Sequence, residues 1–350
     1  MLQLVFGRSG YGKTEYIRNR IADKIDRGET QVLLITPEQY SFISEYSLLE
    51  QLGEARAHAV RCLSFSRLCD ECDRLYGADG RKPLTKGGKA ILMKTAIDQV
   101  RPDLELFEKK GSSAAFVQSM TGIYDEMKSC NLSGAAVYAA ADDLDTDILR
   151  CKMRDFSRIM TAYEALLGDR FADPANRLTR LYDQIKDQNY FAGQTVFLDG
   201  FNGFVAQEYK ILERIIAEAK AVYIALDSDS FGTGDGYDLF AYVNETAGIL
   251  QRIADKAGVP TNALHLGENY RTDYADLRRV EQYIFADQAP ETEIPAEHIR
   301  LYAASTVTDA CNDLALQIKG LLRCGYRAGE IAVTMRDREK YAPVLASAFE

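Results

Sequence analysis

Short apolar runs alternate with stretches of helical periodicity in two parts of the chain, residues 1–80 and 190–286. The apolar runs predict buried strands at 2–6, 31–37, 59–63, 195–199 and 221–227. The segments between them have the three- to four-residue apolar spacing of amphipathic helices. Alternation of this kind predicts an α/β fold, in which helices cover both faces of a parallel sheet.

The pattern changes between residues 85 and 188, where strand signals are scarce. Apolar residues recur there every three or four positions, which predicts helices at 87–100, 114–130, 149–167 and 176–188. We therefore expect an all-helical insertion, residues 81–189, inside the α/β domain. Its Met and Tyr side chains are expected to form a core of their own.

A second α/β pattern begins after residue 297. Strands are predicted at 299–303 and 330–335, with a helix at 309–324 between them. Residues 287–297 are rich in acids and contain two prolines, so they form a linker candidate. A glycine-rich loop is predicted at 231–237. Because the chain stops within a helical pattern, we expect it to be a piece of a longer protein.

The first predicted strand leads into Gly7-Arg-Ser-Gly-Tyr-Gly-Lys-Thr14, a G-x-x-x-x-G-K-T motif that opens a predicted helix. Glycines let the backbone turn its N–H groups toward a phosphate chain, and the helix dipole adds positive potential. Lys13 would reach the β- and γ-phosphates of ATP, and the Thr14 hydroxyl would ligate Mg²⁺. We assign nucleotide binding to Gly7, Arg8, Ser9, Gly10, Tyr11, Gly12, Lys13 and Thr14.

This motif makes the predicted fold that of a P-loop NTPase of the RecA-like class. Residues 1–80 and 190–286 would form the P-loop domain, residues 81–189 the helical insertion and 287–297 the linker. Residues 298–350 would begin a second RecA-like α/β domain.

Asp199 ends the predicted strand 195–199 and suits the acid that holds Mg²⁺ in P-loop proteins. The alternative is a strand-ending aspartate that only caps the next turn. Active helicases place a glutamate next, as the base that orients water. Here Gly200 and Phe201 follow, and Glu208 lies on the next predicted helix, where we expect it to be solvated. No catalytic base is assigned, and slow hydrolysis is predicted.

The turns after the second and third predicted strands supply candidates for DNA contact. They leave the sheet at the edge that also carries the P-loop. The residues are Gln39, Arg61, Ser64, Phe65 and Arg67. Phe65, or Tyr40 beside Gln39, could stack on bases of a single strand. The alternative is that these aromatic rings pack beneath the helices. The first of these turns begins a helix at 38–52 with Phe42, Tyr46, Leu49 and Leu52 near one face.

Composition narrows the function classes. Among the 350 residues the net charge is −10, which disfavours sequence-independent DNA binding by the chain alone. No apolar run approaches the ~20 residues that span a bilayer, so no membrane association is expected. The seven cysteines are scattered, which is typical of a reduced cytoplasmic protein. The pair Cys69-x-x-Cys72 has no second pair nearby, so a structural role is favoured over a metal site.

Together these segments resemble a known family. The P-loop, Thr36–Gln39, Leu63–Phe65, Asp199 and Leu266-x-x-Asn-Tyr-Arg-Thr272 follow the order of the UvrD-like superfamily-one helicase motifs. The whole chain is more similar still to the N-terminal part of AddB (RexB-like) subunits of bacterial AddAB helicase–deoxyribonucleases. The segments that carry this likeness are GRSGYGKTEYI, LLITPEQYSFISEYSLL, TVFLDGFNGF and GYRAGEIAVTMRDREKYAPVLASAFE.

The resemblance implies a role in double-strand break repair and homologous recombination, within an ATP-dependent hydrolase complex that acts on DNA. It implies an AddA-type partner that drives unwinding, while AddB contributes to Chi recognition. Arg271 would sense the γ-phosphate. An iron–sulfur cluster and the nuclease site are implied only for a C-terminal domain beyond Glu350. The family's adenine-reading glutamine has no place upstream of Gly7, so ATP specificity is not supported.

Two other functions compete with this interpretation. One is a scaffold whose P-loop is vestigial and binds no nucleotide. The other is a free-standing P-loop ATPase or kinase, which would need an acceptor site and another base. Neither of those features can be identified in the sequence, so the scaffold is the stronger alternative.

Overall fold

The computed structural model describes residues 1–110, 113–229, 239–286, 291 and 293–350. The predicted loop at 231–237 and part of the predicted linker lie outside the described residues. The chain divides into two units, Met1–Arg271 and Thr272–Glu350.

The described residues form eight strands. In chain order these are β1 Leu2–Gly7, β2 Val32–Ile35, β3 Val60–Leu63, β4 Lys82–Pro83, β5 Phe171–Ala172, β6 Thr195–Leu198, β7 Ala221–Asp227 and β8 Thr261–His265. Six of them build one sheet in the order β3-β2-β6-β7-β1-β8, with every adjacent pair parallel. Strands β4 and β5 pair separately. The predicted α/β fold with a parallel sheet is confirmed.

Fourteen α-helices occur in the described residues. They are α1 Lys13–Asp26, α2 Ser41–Leu52, α3 Glu54–Ala57, α4 Phe65–Tyr76, α5 Lys86–Val100, α6 Ala114–Ser129, α7 Gly134–Ala141, α8 Asp147–Leu167, α9 Arg177–Ile185, α10 Ala206–Glu218, α11 Ala241–Lys256, α12 Ala275–Tyr283, α13 Val307–Arg323 and α14 Arg338–Phe349. Several begin at a hydroxyl cap: the Ser64, Thr85, Ser113 and Ser133 side chains each accept a backbone N–H three residues on.

The sheet is buried on both faces, which explains why its central strands read as unbroken apolar runs. Alternate residues of β2 point to opposite sides. Leu33 and Ile35 join a cluster that includes residues of α4, α9, α10 and α11. Val32 and Leu34 join a second cluster with Ile17 of α1 and residues of α2. A third cluster lies within α5, α6, α7 and α8.

The third cluster is the core of the helical segment predicted between residues 81 and 189. Tyr124 and Tyr163 are fully buried in it, with ring centroids 4.7 Å apart. The four helices predicted there correspond to α5, α6, α8 and α9. The short helix α7 was not predicted, because its run of alanines carries little periodic signal.

Some predicted elements differ from the structure. Residues 299–303 and 330–335 form no strand among the described residues, and Leu301 and Tyr302 are exposed. A strand requires a hydrogen-bonded neighbour, and no described segment pairs with either stretch. Strand β8 was missed because it is an edge strand with mostly exposed side chains, so its sequence lacks an apolar run.

The buried side of α2 also differs from the predicted apolar face. Leu52 is buried, as is Leu48, but Phe42, Tyr46 and Leu49 are 76%, 55% and 41% exposed. Periodicity shows that a helix has an apolar side without showing what covers it.

The cysteines and the helices add two further observations. Cys69 and Cys72 are buried on α4, and burial raises the pKa of their thiols to about 11 and about 12, which suits the structural role expected for this pair. Across the described part of the chain, no helix combines the length and apolar character that crossing a bilayer requires.

Candidate functional site

The loop between β1 and α1 contains the phosphate-binding motif. Gly10 and Gly12 have φ values of 89° and 79°, in the left-handed region that other residues avoid. The loop tightens where the Tyr11 N–H donates to the Arg8 carbonyl at 3.1 Å, and α1 begins at Lys13. The first N–H groups of α1 therefore face the loop, as in an anion-binding helix terminus.

The segment after β8 packs directly on this loop. The Leu266 N–H donates to the Phe6 carbonyl at 2.8 Å, and the Tyr270 N–H donates to the Gly10 carbonyl at 2.9 Å. A Cβ atom at Gly10 would lie only 2.8 Å from the Cβ of Arg271. Gly10 is thus required both by its φ and by the close approach of Arg271.

Lys13 is held at the mouth of the loop by three oxygen atoms. Its Nζ donates to the Gly7 and Arg8 carbonyls at 2.8 and 2.9 Å. It also lies 2.5 Å from Oδ1 of Asp227, at the end of β7. The side chain of Lys13 is 12% exposed, whereas that of Asp227 is 42% exposed. Parallel pairing sets this contact, because Gly7 and Asp227 occupy the same rung of the β1–β7 ladder.

Asp199 follows β6, two strands from β1, and faces the start of α1. The Thr14 hydroxyl hydrogen-bonds to its carboxylate. Burial raises the pKa of Asp199 above its ordinary value, although hydrogen bonds from Thr14 and Gly200 and the charges of Lys13 and Arg18 oppose the rise. The structure therefore brings the predicted metal residues, Thr14 and Asp199, into contact.

These groups surround one cavity of about 520 Å³ at the carboxyl edge of the sheet. Its lining residues are Ser9, Gly10, Gly12, Lys13, Thr14, Glu15, Arg18, Asp199, Gly200, Phe201, Ala225, Asp227, Tyr270 and Arg271. Ligands of open α/β sheets bind at this edge. Three cations, Lys13, Arg18 and Arg271, face it, which suits a polyanion such as a nucleoside triphosphate.

A magnesium ion would fit the Thr14–Asp199 pair through one hydroxyl and one carboxylate oxygen. Within the described ranges, no group of three or more His, Cys, Asp and Glu side chains could hold a metal ion alone. Phosphate oxygens and water would have to complete the coordination, which is the usual arrangement for Mg²⁺ at nucleotide sites.

Three of the predicted loop residues do not line the cavity. Gly7 contributes its carbonyl to Lys13, and Tyr11 is buried beside it. Arg8 turns away: its Nη2 lies 2.8 Å from Oδ2 of Asp229, and its guanidinium lies over the Phe240 ring.

Sequence reasoning missed several residues of the cavity. Asp227, Arg18, Phe201 and Tyr270 line it, and none was predicted as a site residue. A signal for Asp227 was present, since β7, like the segment of β6, is an apolar run that ends in an aspartate. For Arg18 and Tyr270 the signal was weaker, because they differ little from other polar residues near a helix start.

Glu208, the nearest acid after Asp199 in sequence, does not reach the cavity. It lies on α10, and its Oε2 accepts the Val205 N–H at 2.9 Å, so it caps its own helix. It is half-buried, and burial raises the pKa of its carboxyl group. The expectation that Glu208 is solvated was therefore wrong.

The predicted DNA contacts occupy different environments. Phe65 is only 6% exposed and packs edge-on against Phe201, with ring centroids 5.8 Å apart. This leaves the Phe65 ring no open face for a base, in line with the alternative that the ring packs beneath a helix. Arg61 is engaged internally, by an ion pair with Glu71 and a 2.6 Å hydrogen bond to Gln194.

Ser64 is also committed to the fold. It caps α4 and donates to Oε2 of Glu38 at 2.8 Å. Although burial opposes it, hydrogen bonds from Ser66 and Ser64 lower the pKa of Glu38. Gln39 is exposed, and Arg67 is 46% exposed while its Nη1 contacts Glu45 at 3.2 Å. Of the five candidates, Gln39 and Arg67 thus present the most accessible side chains.

Comparisons with known proteins agree with this architecture. Residues 4–281 match the family described as "ADDB, N-terminal". Similar proteins include the B subunit of the ATP-dependent helicase/deoxyribonuclease of Clostridioides difficile (strain 630), 29% identical over 99% of this chain and 31% of that protein. Its counterparts of the same name from Clostridium novyi (strain NT) and Clostridium botulinum (strain Hall) are 26% and 27% identical, with the same shares covered. The chain thus spans about a third of the length of these relatives. Because the family match covers most of its residues, the chain belongs to the family of AddB N-terminal regions.

Proposed function

We propose that this chain is the helicase-like N-terminal part of the B subunit of an ATP-dependent helicase/deoxyribonuclease, and that it binds a magnesium–nucleotide complex which it hydrolyses poorly. One observation carries the proposal. Lys13, Thr14, Asp199 and Arg271, distant in sequence, surround a single cavity of about 520 Å³. Their side chains are those that triphosphate and Mg²⁺ binding requires.

Each residue has a distinct task in this proposal. The loop N–H groups and Lys13 bind the phosphate chain, while Arg271 contacts its terminal phosphate. Thr14 and Asp199 would hold Mg²⁺, which supplies charge neutralisation on the phosphate oxygens when it is bound. Asp199 suits this task because its carboxylate already accepts the Thr14 hydroxyl.

Slow hydrolysis follows from what adjoins Asp199. A base is needed to orient water and take its proton, and it must lie within hydrogen-bond reach of that water. Gly200 and Phe201 follow Asp199 and cannot serve, while Glu208 is used as a helix cap. Among the described residues the cavity's other acids are Glu15, on the first turn of α1, and Asp227, which is paired with Lys13.

The wider role rests on the names of the relatives. Those proteins are helicase/deoxyribonuclease components named as one of several subunits, which supports a protein partner and a DNA substrate for this chain. We propose an AddA-type motor as the partner, with the pair acting in double-strand break repair and homologous recombination and this chain contributing to DNA binding and Chi recognition. The P-loop domain would comprise residues 1–80 and 190–286, and the helical core of 81–189 would be its insertion.

The scaffold with a vestigial P-loop is the second candidate. The 2.5 Å contact between Lys13 and Asp227 favours it, because a lysine that is already paired is less available to phosphate. The two candidates differ in whether any nucleotide binds.

Equilibrium binding of a fluorescent ATP analogue with Mg²⁺ tests the proposal. We expect the wild type to bind and Lys13→Ala to bind at least tenfold more weakly, since a charge-assisted contact is lost. Lys186→Ala, which removes an exposed lysine paired with Asp183, is the matched control and should bind as the wild type does. Equal affinity of Lys13→Ala and wild type would refute the assignment of the site.

A turnover assay on the same samples tests the hydrolysis claim. Phosphate release should be slow for the wild type and should not increase to the rate of an active helicase when single-stranded DNA is added. Rapid release that disappears in Lys13→Ala would show a working motor and contradict the missing base.

A further inference from the structure

Asp227 occupies an unusual position for an acid beside a phosphate-binding loop. It ends β7 on the rung shared with Gly7, so the sheet itself fixes its place next to the loop. Its carboxylate lines the nucleotide cavity and lies 2.5 Å from Nζ of Lys13. The two carbonyls of Gly7 and Arg8 occupy the other donors of the ammonium group. All three protons of Lys13 are therefore engaged within the chain.

We propose that Asp227 competes with the nucleotide's phosphates for Lys13 and so sets the affinity of the site. This inference rests on the proposed nucleotide site and names a residue that regulates it. A phosphate group reaches Lys13 only by replacing Asp227 or by sharing the ammonium group with it. Either arrangement places an anionic phosphate close to an anionic carboxylate, which is unfavourable in a half-buried cavity.

The other acid of the cavity has a different role. Asp199 accepts the Thr14 hydroxyl and is placed for metal, whereas Asp227 contacts the lysine. The cavity also holds Arg18 and Arg271, so phosphate binding retains cationic partners while Lys13 is engaged. The geometry thus separates a metal-holding carboxylate from a lysine-holding carboxylate.

Asp227→Asn removes the competing charge while keeping nearly the same shape. We expect it to bind both the metal-free and the Mg²⁺-loaded fluorescent ATP analogue about five- to tenfold more tightly than the wild type, a range set by the strength of partly exposed ion pairs. Asp23→Asn, on the outer end of α1 and paired with Arg20 at 3.6 Å, is the control with the same change in charge. Its affinity should equal that of the wild type.

A double-mutant cycle shows whether Asp227 acts through Lys13. In the Lys13→Ala background, adding Asp227→Asn should improve affinity by less than twofold, because the contact that Asp227 competes for is gone. An undiminished gain in that background would instead indicate direct repulsion of phosphate and would overturn the inference. Circular dichroism of each variant verifies that the fold is retained.

The outcomes separate this inference from the proposed function. If wild type binds and Asp227→Asn binds equally or more weakly, the inference fails while the nucleotide site stands. Weaker binding only with Mg²⁺ would assign Asp227 to the metal and would also overturn it. If the wild type fails to bind and Asp227→Asn binds, the inference holds, and Asp227 explains the silent site. If neither binds any nucleotide, both proposals fail.

Discussion

The replacement of Gly10 by alanine tests the close packing that builds the candidate site. Two glycines of the chain share nearly the same backbone conformation, with φ of 89° at Gly10 and 84° at Gly28. An added Cβ would lie 2.8 Å from the Cβ of Arg271 at Gly10, but would meet nothing within 4 Å at Gly28. Gly28→Ala is therefore a matched control that carries the conformational cost without the collision.

The expected magnitudes follow from these two terms. Placing a non-glycine residue in the left-handed region costs about 1–2 kcal/mol, and the reduced entropy of the unfolded chain returns about 0.4–1 kcal/mol. Gly28→Ala should thus lower the free energy of unfolding by about 1 kcal/mol. Overpacking adds about 1–3 kcal/mol, so Gly10→Ala should lower it by about 2–4 kcal/mol. The clash involves a Cβ atom and cannot be relieved by rotating a side chain.

The assay combines urea denaturation, followed by circular dichroism, with binding of the fluorescent ATP analogue. Gly10→Ala should reduce nucleotide affinity at least tenfold, because Arg271 and the loop must separate. Gly28→Ala should leave affinity unchanged. Equal stability losses for the two variants, together with wild-type binding by Gly10→Ala, would refute the packing of Arg271 on the loop.

Two further predictions concern stability. Glu29 accepts hydrogen bonds from Thr195 and Lys220, and despite burial these contacts lower the pKa of Glu29 from 4.5 to about 2. Because the folded pKa lies below the unfolded one, Glu29→Gln should cost about 3 kcal/mol above pH 4.5, and denaturation curves should show this difference vanishing as the pH falls toward 2; a constant difference would contradict it. Phe65→Ala should cost about 3 kcal/mol by chemical denaturation, whereas Phe42→Ala, at a 76% exposed side chain, should cost under about 0.5 kcal/mol. Comparable losses would show that Phe65 is not a core residue.

Features that depend on neighbouring residues were predictable from the sequence. The P-loop could be identified because its glycines, lysine and threonine act through the local backbone, next to an apolar strand and an amphipathic helix. The central strands were also predictable, since burial on both faces requires continuous apolar runs such as Val32–Ile35. The acid at the end of β6 followed from the same logic, because the carboxyl ends of parallel strands meet at one edge.

Features that depend on distant partners were decided by the tertiary structure. Sequence periodicity gave α2 an apolar side but not its covering, and the packing buries Leu48 while it exposes Phe42. Phe65 could have faced DNA or the core, and only its contact with Phe201 decides between them. The pairing of Lys13 with Asp227 joins residues 214 positions apart in sequence, and it exists because β1 and β7 are neighbours in the sheet. A single chain's pattern records which residues favour a strand, a helix or a turn, whereas strand order and register arise from the packing of all the elements together.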